Sequence, residues 1–303
     1  MGGPGYVVVA NAAAGRASAG AATEAARVLG RAAATEVVET AGPDDLDRVV
    51  DRLAGRALVV VGGDGSLHAA VNALRRRGRL DAPLGLVPLG TGNDFARGLG
   101  LPLEAEAAAT AVARAEPRPM DLVAASDGTA VVNVAHAGVG ADAADAAHGV
   151  KRLLGKAAYP IGAAWAGLTR RGWQLEVEVD GRRVGPGTDG QHPDPPSGRV
   201  LLVAVANGRT IGGGTPVAPD ARPDDGLVDV VVAASTGALA RAGFARRLRA
   251  GRHLERPDVG VWQGREVAIR GEPVRHNVDG ELTEPRDRVS YTVERGAWTL
   301  LAA

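Results

Sequence analysis

The chain has 303 residues, 45% of them hydrophobic and 23% charged, with 35 Lys and Arg balancing 35 Asp and Glu. That length accommodates two domains with cores of their own, and the composition excludes a disordered or collagen-like chain. A net charge of zero argues against a dedicated nucleic-acid binder, the absence of cysteine excludes disulfides, thiolate metal sites and cysteine nucleophiles, and no uncharged stretch reaches the roughly eighteen residues of a membrane span.

Met1 to Gly5 lacks the basic leader of a signal peptide and runs into Tyr6–Ala10, an apolar run expected to be a strand buried on both faces. Absence of cysteine and of a leader makes the cytosol the expected compartment. Ala21 to Leu29 is alanine-rich and helix-favouring, and Glu36–Glu39 is the next strand candidate. Pro43-Asp44-Asp45 opens a helix whose Leu46, Val49, Val50 and Leu53 fall at i, i+3, i+4 and i+7. Ala57–Val61 is a further buried strand, followed by a glycine-rich turn and a helix carrying Leu67, Ala70, Val71 and Leu74. Leu84–Leu89 is a fourth. Strands alternating with helices imply parallel strands joined by crossovers, hence an open, Rossmann-like α/β domain, placed at residues 1–121.

Near Met120-Asp121 the texture changes. Leu175–Val179, Val200–Ala206, Leu227–Val232, Glu266–Arg270 and Val289–Val293 are short strand candidates, several alternating polar and apolar as in an antiparallel sheet with one solvated face. Helical stretches are expected at Lys151–Arg171 and Ala238–Arg249, and an exposed loop at Gly185–Gly198. Residues 122–303 therefore read as an antiparallel, β-sandwich-like domain, with the option that its last strand returns to the first domain.

Two turns carry chemistry. In Val61-Gly62-Gly63-Asp64-Gly65-Ser66-Leu67 a buried strand ends in glycines and a helix begins, so backbone N–H groups can turn toward an anion at the helix N-terminus. Asp64 is a poor neighbour for phosphate unless a cation lies between them, which implies Mg²⁺. The alternative is an ordinary strand-to-helix turn with Asp64 capping the helix. The turn is neither a Walker loop nor a Gly-x-Gly-x-x-Gly dinucleotide turn. In Gly90-Thr91-Gly92-Asn93-Asp94-Phe95-Ala96-Arg97, Gly90 and Gly92 free the backbone, Thr91 offers a hydroxyl and Asp94 a second carboxylate; here the alternative is a capped loop with Asn93 and Asp94 as turn residues. Two such turns at the carboxyl ends of parallel strands would converge on one crevice.

Together these segments resemble the diacylglycerol kinase catalytic family, lipid kinases that include sphingosine and ceramide kinases. The resemblance extends to Asn207-Gly208-Arg209 before Gly212-Gly213-Gly214, to Pro219–Asp229, and to Asn277-Val278-Asp279-Gly280-Glu281. NAD kinases and phosphofructokinases share the first motif without a counterpart of the full Gly-Thr-Gly-Asn-Asp-Phe-Ala-Arg run. The resemblance implies that ATP lies between the domains, its phosphates held by Gly62, Gly63, Asp64, Gly65, Ser66, Leu67 and His68 and by Gly90, Thr91, Gly92 and Asn93, with Asn11, Gly15 and Thr40 nearby. It implies that Asp64 and Asp94 organise catalytic Mg²⁺ and that Glu281 is the general base. Without the family, Asp279-Gly280-Glu281 reads as a hairpin turn. It also implies a structural Mg²⁺ on the Asp225 carboxylate and the carbonyls of Arg222 and Leu227; the alternative there is an acidic surface turn. This chain departs from the family where Asn11-Ala12-Ala13-Ala14-Gly15 lacks a hydroxyl and where His68-Ala69 replaces Asn-Glu, which bears on nucleotide contacts beyond the phosphates.

A lipid acceptor implies peripheral contact with a membrane, in the cell its inner face. Lys151–Arg171, basic at both ends and apolar between, suits an interfacial helix or a packed one; Arg246, Arg247, Arg249, Arg252 and His253 form a second basic cluster that suits anionic headgroups or a solvated helix end. His136 reads as a satisfied interior residue, and His276 as a candidate to approach the active cleft. The rival readings are a kinase of a soluble acceptor such as NAD or a polyol, and a lipid-binding protein that lost turnover. The oligomeric state stays open, a homodimer included.

Overall fold

A computed structural model describes residues 5–12, 15–138, 172–185, 199–234 and 237–302. The helix expected over 151–171, and all but the first residue of the loop expected over 185–198, lie outside them. The chain divides into two compact units, one of Met1–Leu122, Gly212–Gly214 and Glu294–Ala303, the other of Val123–Ile211 and Thr215–Val293.

The first unit is the parallel α/β core. Strands β1 (Tyr6–Asn11), β2 (Thr35–Thr40), β3 (Ala57–Gly62) and β4 (Pro83–Pro88) pair in parallel in the order β2-β1-β3-β4. Each expected strand is present with ends shifted by a residue or so. The valine runs of β1 and β3 are buried because helices cover the sheet. Helix α1 (Gly15–Leu29) starts earlier than the alanine-rich stretch suggested. Helix α2 (Pro43–Asp51) buries Leu46, Val49 and Val50, and α3 (Asp64–Arg76) buries Leu67, Ala70, Val71 and Leu74, the side chains that periodicity singled out. Two helices had no counterpart in the sequence reading: the six-residue α4 (Asp94–Leu99) and α5 (Ala105–Arg114). Ala108, Ala109 and Val112 of α5 share a core with Ala22, Ala25, Val28 and Leu29 of α1, where small side chains admit close helix packing.

β5 (Glu116–Ala125) was also unforeseen, since Pro117 and Pro119 argue against a strand interior. The last strand, β18 (Arg286–Ala302), is far longer than Val289–Val293 suggested. Its residues 294–302 fall in the first unit, where Thr299, Leu300 and Leu301 pair in parallel with Pro83, Leu84 and Gly85. Asp121, 1% exposed, accepts a hydrogen bond at Oδ1 from Gly296 N (2.7 Å), and its carbonyl accepts one from Trp298 Nε1 (3.0 Å). Phe95 packs against Trp298 with ring centroids 5.9 Å apart.

The second unit is antiparallel. After the two-residue β6 (Ala130–Val131), β7 (Val134–Gly138) lies inside a six-stranded sheet of order β14-β13-β10-β7-β16-β17, built with β10 (Val200–Ala206), β13 (Val228–Ala234), β14 (Val259–Gly264), β16 (His276–Val278) and β17 (Glu281–Leu282). β8 (Leu175–Val179), β9 (Arg182–Val184) and β15 (Glu266–Val274) pair with residues 286–292 in the order β18-β15-β8-β9. Val177, Val267, Ile269, Val289 and Tyr291 from these strands meet Val203, Val205, Val230, Val232 and Val278 in one core, the packing of a β-sandwich. β13 starts at Val228, not at Leu227, and β14, bounded by glycines, went unrecognised. On the outer face of the six-stranded sheet, Val231, Ala233, Leu202 and Ala204 pack with Val217, Ala221 and Phe244; Phe244 belongs to α6 (Ala238–Arg249). The short hairpin β11 (Thr210–Ile211) and β12 (Thr215–Pro216) completes the fold. Among the described residues no helix is long and apolar enough to cross a membrane.

Candidate active site

In the first unit the carboxyl ends of the parallel strands finish level. Asn11 is in register with Thr40, Ala10 with Val61, and Gly62 with Pro88, so the turns that follow β1, β3 and β4 leave from one edge. Asn11 is exposed at the end of β1, and the Thr40 hydroxyl donates to Ala10 O (3.4 Å). Gly15 is the first residue of α1.

The two glycine turns touch through their backbones. A Cβ on Gly63 would sit 2.9 Å from Gly90 Cα, and one on Gly90 would sit 2.7 Å from Gly63 Cα, so neither position accepts a side chain without movement. Gly62 is fixed by Ser66, whose Cβ lies 2.4 Å from where a Cβ at 62 would stand. Leu89 N donates to Gly62 O (3.0 Å), stitching one turn to the other. Asn93 holds the second turn closed: its Oδ1 accepts from Gly90 N (2.8 Å), its Nδ2 donates to Gly90 O (2.8 Å), and its own backbone is left-handed at φ 50°.

Asp64 and Asp94 converge. The Asp64 carboxylate accepts from Asp94 N and Phe95 N, both at 3.0 Å, and so caps α4 and not its own helix, as the local alternative had it. The N-terminus of α3, at Gly63, has no side-chain cap. Asp94, buried, accepts from Gly213 N (2.8 Å) and Gly214 N (2.6 Å). Oδ2 of each carboxylate lies within 3.3 Å of the point where a Cβ on Gly92 would stand. Two carboxylates this close repel unless donors or a cation intervene. Among the described residues no three acidic or histidine side chains gather to hold a metal, so a cation here would complete its shell with phosphate and water oxygens, as Mg²⁺ does.

Other expected contacts are weaker. The Leu67 side chain is 1% exposed and belongs to the core, which leaves only its backbone to offer. His68 is half-buried, its Nε2 3.1 Å from Asn72 Nδ2. Gly65 and Thr91 are exposed, and Ser66 and Gly92 are half-exposed.

Glu281, Arg222, Asp225 and Leu227 belong to the second unit. Asp279 and Gly280 form a tight hairpin turn with φ 49° and 102°, and Glu281, exposed, opens β17 opposite Val278. The turn is anchored by a residue the sequence reading passed over. Asp279 Oδ2 accepts from Val132 N (2.7 Å) and Oδ1 from Asn133 N and Val134 N (both 2.9 Å), while its own N donates to Val134 O (3.1 Å). Asn277 Oδ1 accepts from Gly280 N (2.9 Å). Asp279 carried no signal beyond its place before Gly280, because its partners lie 145 to 147 residues away.

His276 does not approach an open cleft. It is 2% exposed, with Nδ1 2.9 Å from Tyr291 Oη, and burial pulls its pKa down to about 4. His136 is interior as expected but not satisfied, since its Nδ1 has no hydrogen-bond partner; burial, then the nearby His276, lower its pKa to about 4 against the opposing charge of Asp279. In the Pro219–Asp229 segment, Asp225 Oδ1 accepts from Leu227 N (3.0 Å), and the exposed Arg222 side chain lies 3.6 Å from Asp224. Asp229 is pushed up to about 6 by burial and, more weakly, by Asp225 and Asp220, against the Gln263 bond.

Comparison with known proteins agrees with this architecture. Residues 5–125 match the family model of the diacylglycerol kinase catalytic domain, and residues 133–301 that of the YegS C-terminal NAD kinase beta sandwich-like domain. A Pseudomonas aeruginosa protein named probable lipid kinase YegS-like is 36% identical over 284 residues, covering 91% of this chain and 87% of the relative. A Stenotrophomonas maltophilia protein of the same name is 31% identical over 241 residues, 76% of this chain and 73% of its own. A crystal structure of a diacylglycerol kinase from Bacillus anthracis strain Sterne shares the fold with TM-score 0.71 at 20% identity, covering 99% of this chain and 97% of that one. With a relative this similar along nearly its whole length and both domain models matched in order, the chain belongs to the YegS-like lipid kinase family, a family of ATP-dependent kinases built on the diacylglycerol kinase catalytic domain.

Proposed function

We propose that the protein transfers the γ-phosphoryl group of ATP to a lipid hydroxyl, with diacylglycerol or a related lipid as the acceptor. The observation that supports this best is the abutting pair of glycine turns, Gly62–Ser66 and Gly90–Asn93, with the Asp64 and Asp94 carboxylates both beside Gly92. The uncapped start of α3 and the side-chain-free backbone of both turns suit the binding of phosphate oxygens. Asp64 and Asp94 would hold Mg²⁺, which when bound offsets the charge of the phosphates. Glu281 would accept the proton of the acceptor hydroxyl as its oxygen attacks, a role its exposed position on a tied-down hairpin permits. Asp225, with the carbonyls of Arg222 and Leu227, would hold a second, structural Mg²⁺. On this reading residues 1–121, joined by the returning end of β18, bind nucleotide and the rest of residues 122–303 receives the acceptor. The protein would work in the cytoplasm and meet its acceptor at the inner membrane face.

A soluble acceptor is the competing reading, favoured by the NAD-kinase-like description of the second domain. Incubation with γ-labelled ATP and Mg²⁺, against dispersed lipid extract in one arm and NAD and polyols in the other, separates them on thin-layer plates. Label in the lipid fraction supports the proposal; label confined to soluble products overturns it.

A further inference from the structure

The protein is neutral as a whole, but its charge is not spread evenly. Between residues 237 and 258, α6 and the turn after it carry six arginines against two acids, Glu255 and Asp258, the latter paired with Arg256 at 2.7 Å. Phe244 and Leu248 hold one side of α6 to the core of the second unit. The opposite side carries Leu239, Ala242, Arg246, Arg249 and Ala250, which recur at the spacing of one helix face and are all exposed. Leu239, in the first turn, is 91% exposed, more than any other large apolar side chain among the described residues. Arg246, Arg247 and Arg252 surround a shallow cavity of about 200 Å³ over Ala250. Arg252 and Arg247 share Glu255, at 2.8 Å and 3.6 Å, so the charge of these two is partly offset. His253, grouped with these arginines in the sequence, is buried with Nε2 2.8 Å from Val217 O, and burial lowers its pKa, so the cluster is purely guanidinium.

We propose that this outer face of α6 is the surface by which the protein docks on an anionic phospholipid bilayer, with Arg246 and Arg249 meeting headgroup phosphates and Leu239 entering the acyl boundary. The proposal rests on the reading that the acceptor is a lipid. The planar, exposed guanidinium groups of Arg246 and Arg249 match the bidentate geometry of phosphate. A basic helix face that ends in an exposed leucine is the pattern of an interfacial helix, with each arginine near the surface strengthening attachment about fivefold. Nucleic acid would also meet the charge, but α6 offers no aromatic side chain on this face for base stacking, and Leu239 would gain nothing from it.

The full chain would be sedimented with vesicles of phosphatidylcholine alone and with phosphatidylglycerol-containing vesicles. The proposal expects binding only to the latter, weakened by salt, and reduced about thirtyfold by the pair Arg246→Gln and Arg249→Gln. Leu239→Ser should weaken it several-fold with the salt dependence unchanged. Phosphorylation of lipid dispersed in detergent micelles should stay at the level of the unaltered protein, as should the melting temperature. Equal binding to both vesicle types, unchanged binding by the double variant, or displacement from vesicles by RNA at low concentration would overturn it. Arginine-dependent vesicle binding without phosphorylation of any micellar lipid would leave the docking surface standing and remove the lipid-kinase reading. Phosphorylation in micelles with arginine-independent binding would do the reverse.

Discussion

Asp279 offers a direct test of how the second unit holds its hairpin turn. Its carboxylate is the acceptor for three backbone N–H groups, of Val132, Asn133 and Val134, at 2.7, 2.9 and 2.9 Å, and all three donor residues are buried. Asp279→Ala strands those donors. Each buried donor left without a partner costs about 1–3 kcal/mol, and the half-exposed carboxylate position admits water to some of them, so the loss should be about 3–5 kcal/mol. That is a large part of the stability of an ordinary domain. Asp279→Asn keeps one oxygen for Asn133 and Val134 but turns an NH2 group toward Val132, and should cost about 1–3 kcal/mol. Urea unfolding followed by tryptophan fluorescence measures both. Because the same bonds hold the turn that carries Glu281, turnover of the folded Asn variant should fall while nucleotide affinity, a property of the first unit, stays near normal. An alanine variant that loses less than about 1 kcal/mol would refute the reasoning, since the three amides would then be satisfied without the carboxylate.

Three further outcomes are expected. Glu281→Gln should cut turnover by about 10² or more with nucleotide binding nearly intact, read from initial rates and a nucleotide titration; near-normal turnover removes Glu281 from the mechanism. Burial pulls His136 and His276 down to about 4 from 6.5, so the unfolded chain takes up protons first on acidification; the stability present above pH 6.5 should be lost between about pH 6.5 and 4, by up to about 3 kcal/mol per histidine, and a flat unfolding profile over that range would contradict it. Asp229 acts in the opposite sense: raised from 3.8 to about 6, it favours folding at low pH and loses that contribution as pH rises through about 6, by up to about 3 kcal/mol. Mg²⁺ should restore that loss in the native protein but not in Asp225→Ala, as read by melting temperature with and without the ion.

What the sequence made legible was whatever depends on local chemistry. The glycines at 62, 63, 90 and 92 announce themselves because a backbone that approaches another backbone, or an anion, tolerates no Cβ, and the contact of Gly63 with Gly90 is the structural counterpart of that pattern. The valine runs of β1 and β3 and the spacing of Leu46, Val49 and Val50 gave strands and a helix because burial imposes a period. What stayed hidden were long-range carboxylate-to-amide bonds. Asp279 to Val132, Asp94 to Gly213 and Gly214, and Asp121 to Gly296 span more than a hundred residues each and leave no periodic trace. The same holds for Asp64, since the amides it caps lie at the start of α4, thirty residues on, and not on the helix it begins. β5 was obscured by two prolines, and β18 by the break at Glu294, Arg295 and Gly296, where a polar stretch with φ 57° at Gly296 interrupts the alternation.

The paired glycine turns, with Asp64 and Asp94, should receive the triphosphate and its divalent ion. Crystals grown with a non-hydrolysable ATP analogue and Mn²⁺ test it through the anomalous signal of the metal. The account predicts Mn²⁺ bound to Asp64 or Asp94, directly or through one water, with the analogue's phosphates against the backbone of Gly62–Ser66 and Gly90–Thr91. Mn²⁺ and phosphates bound away from both turns would contradict it.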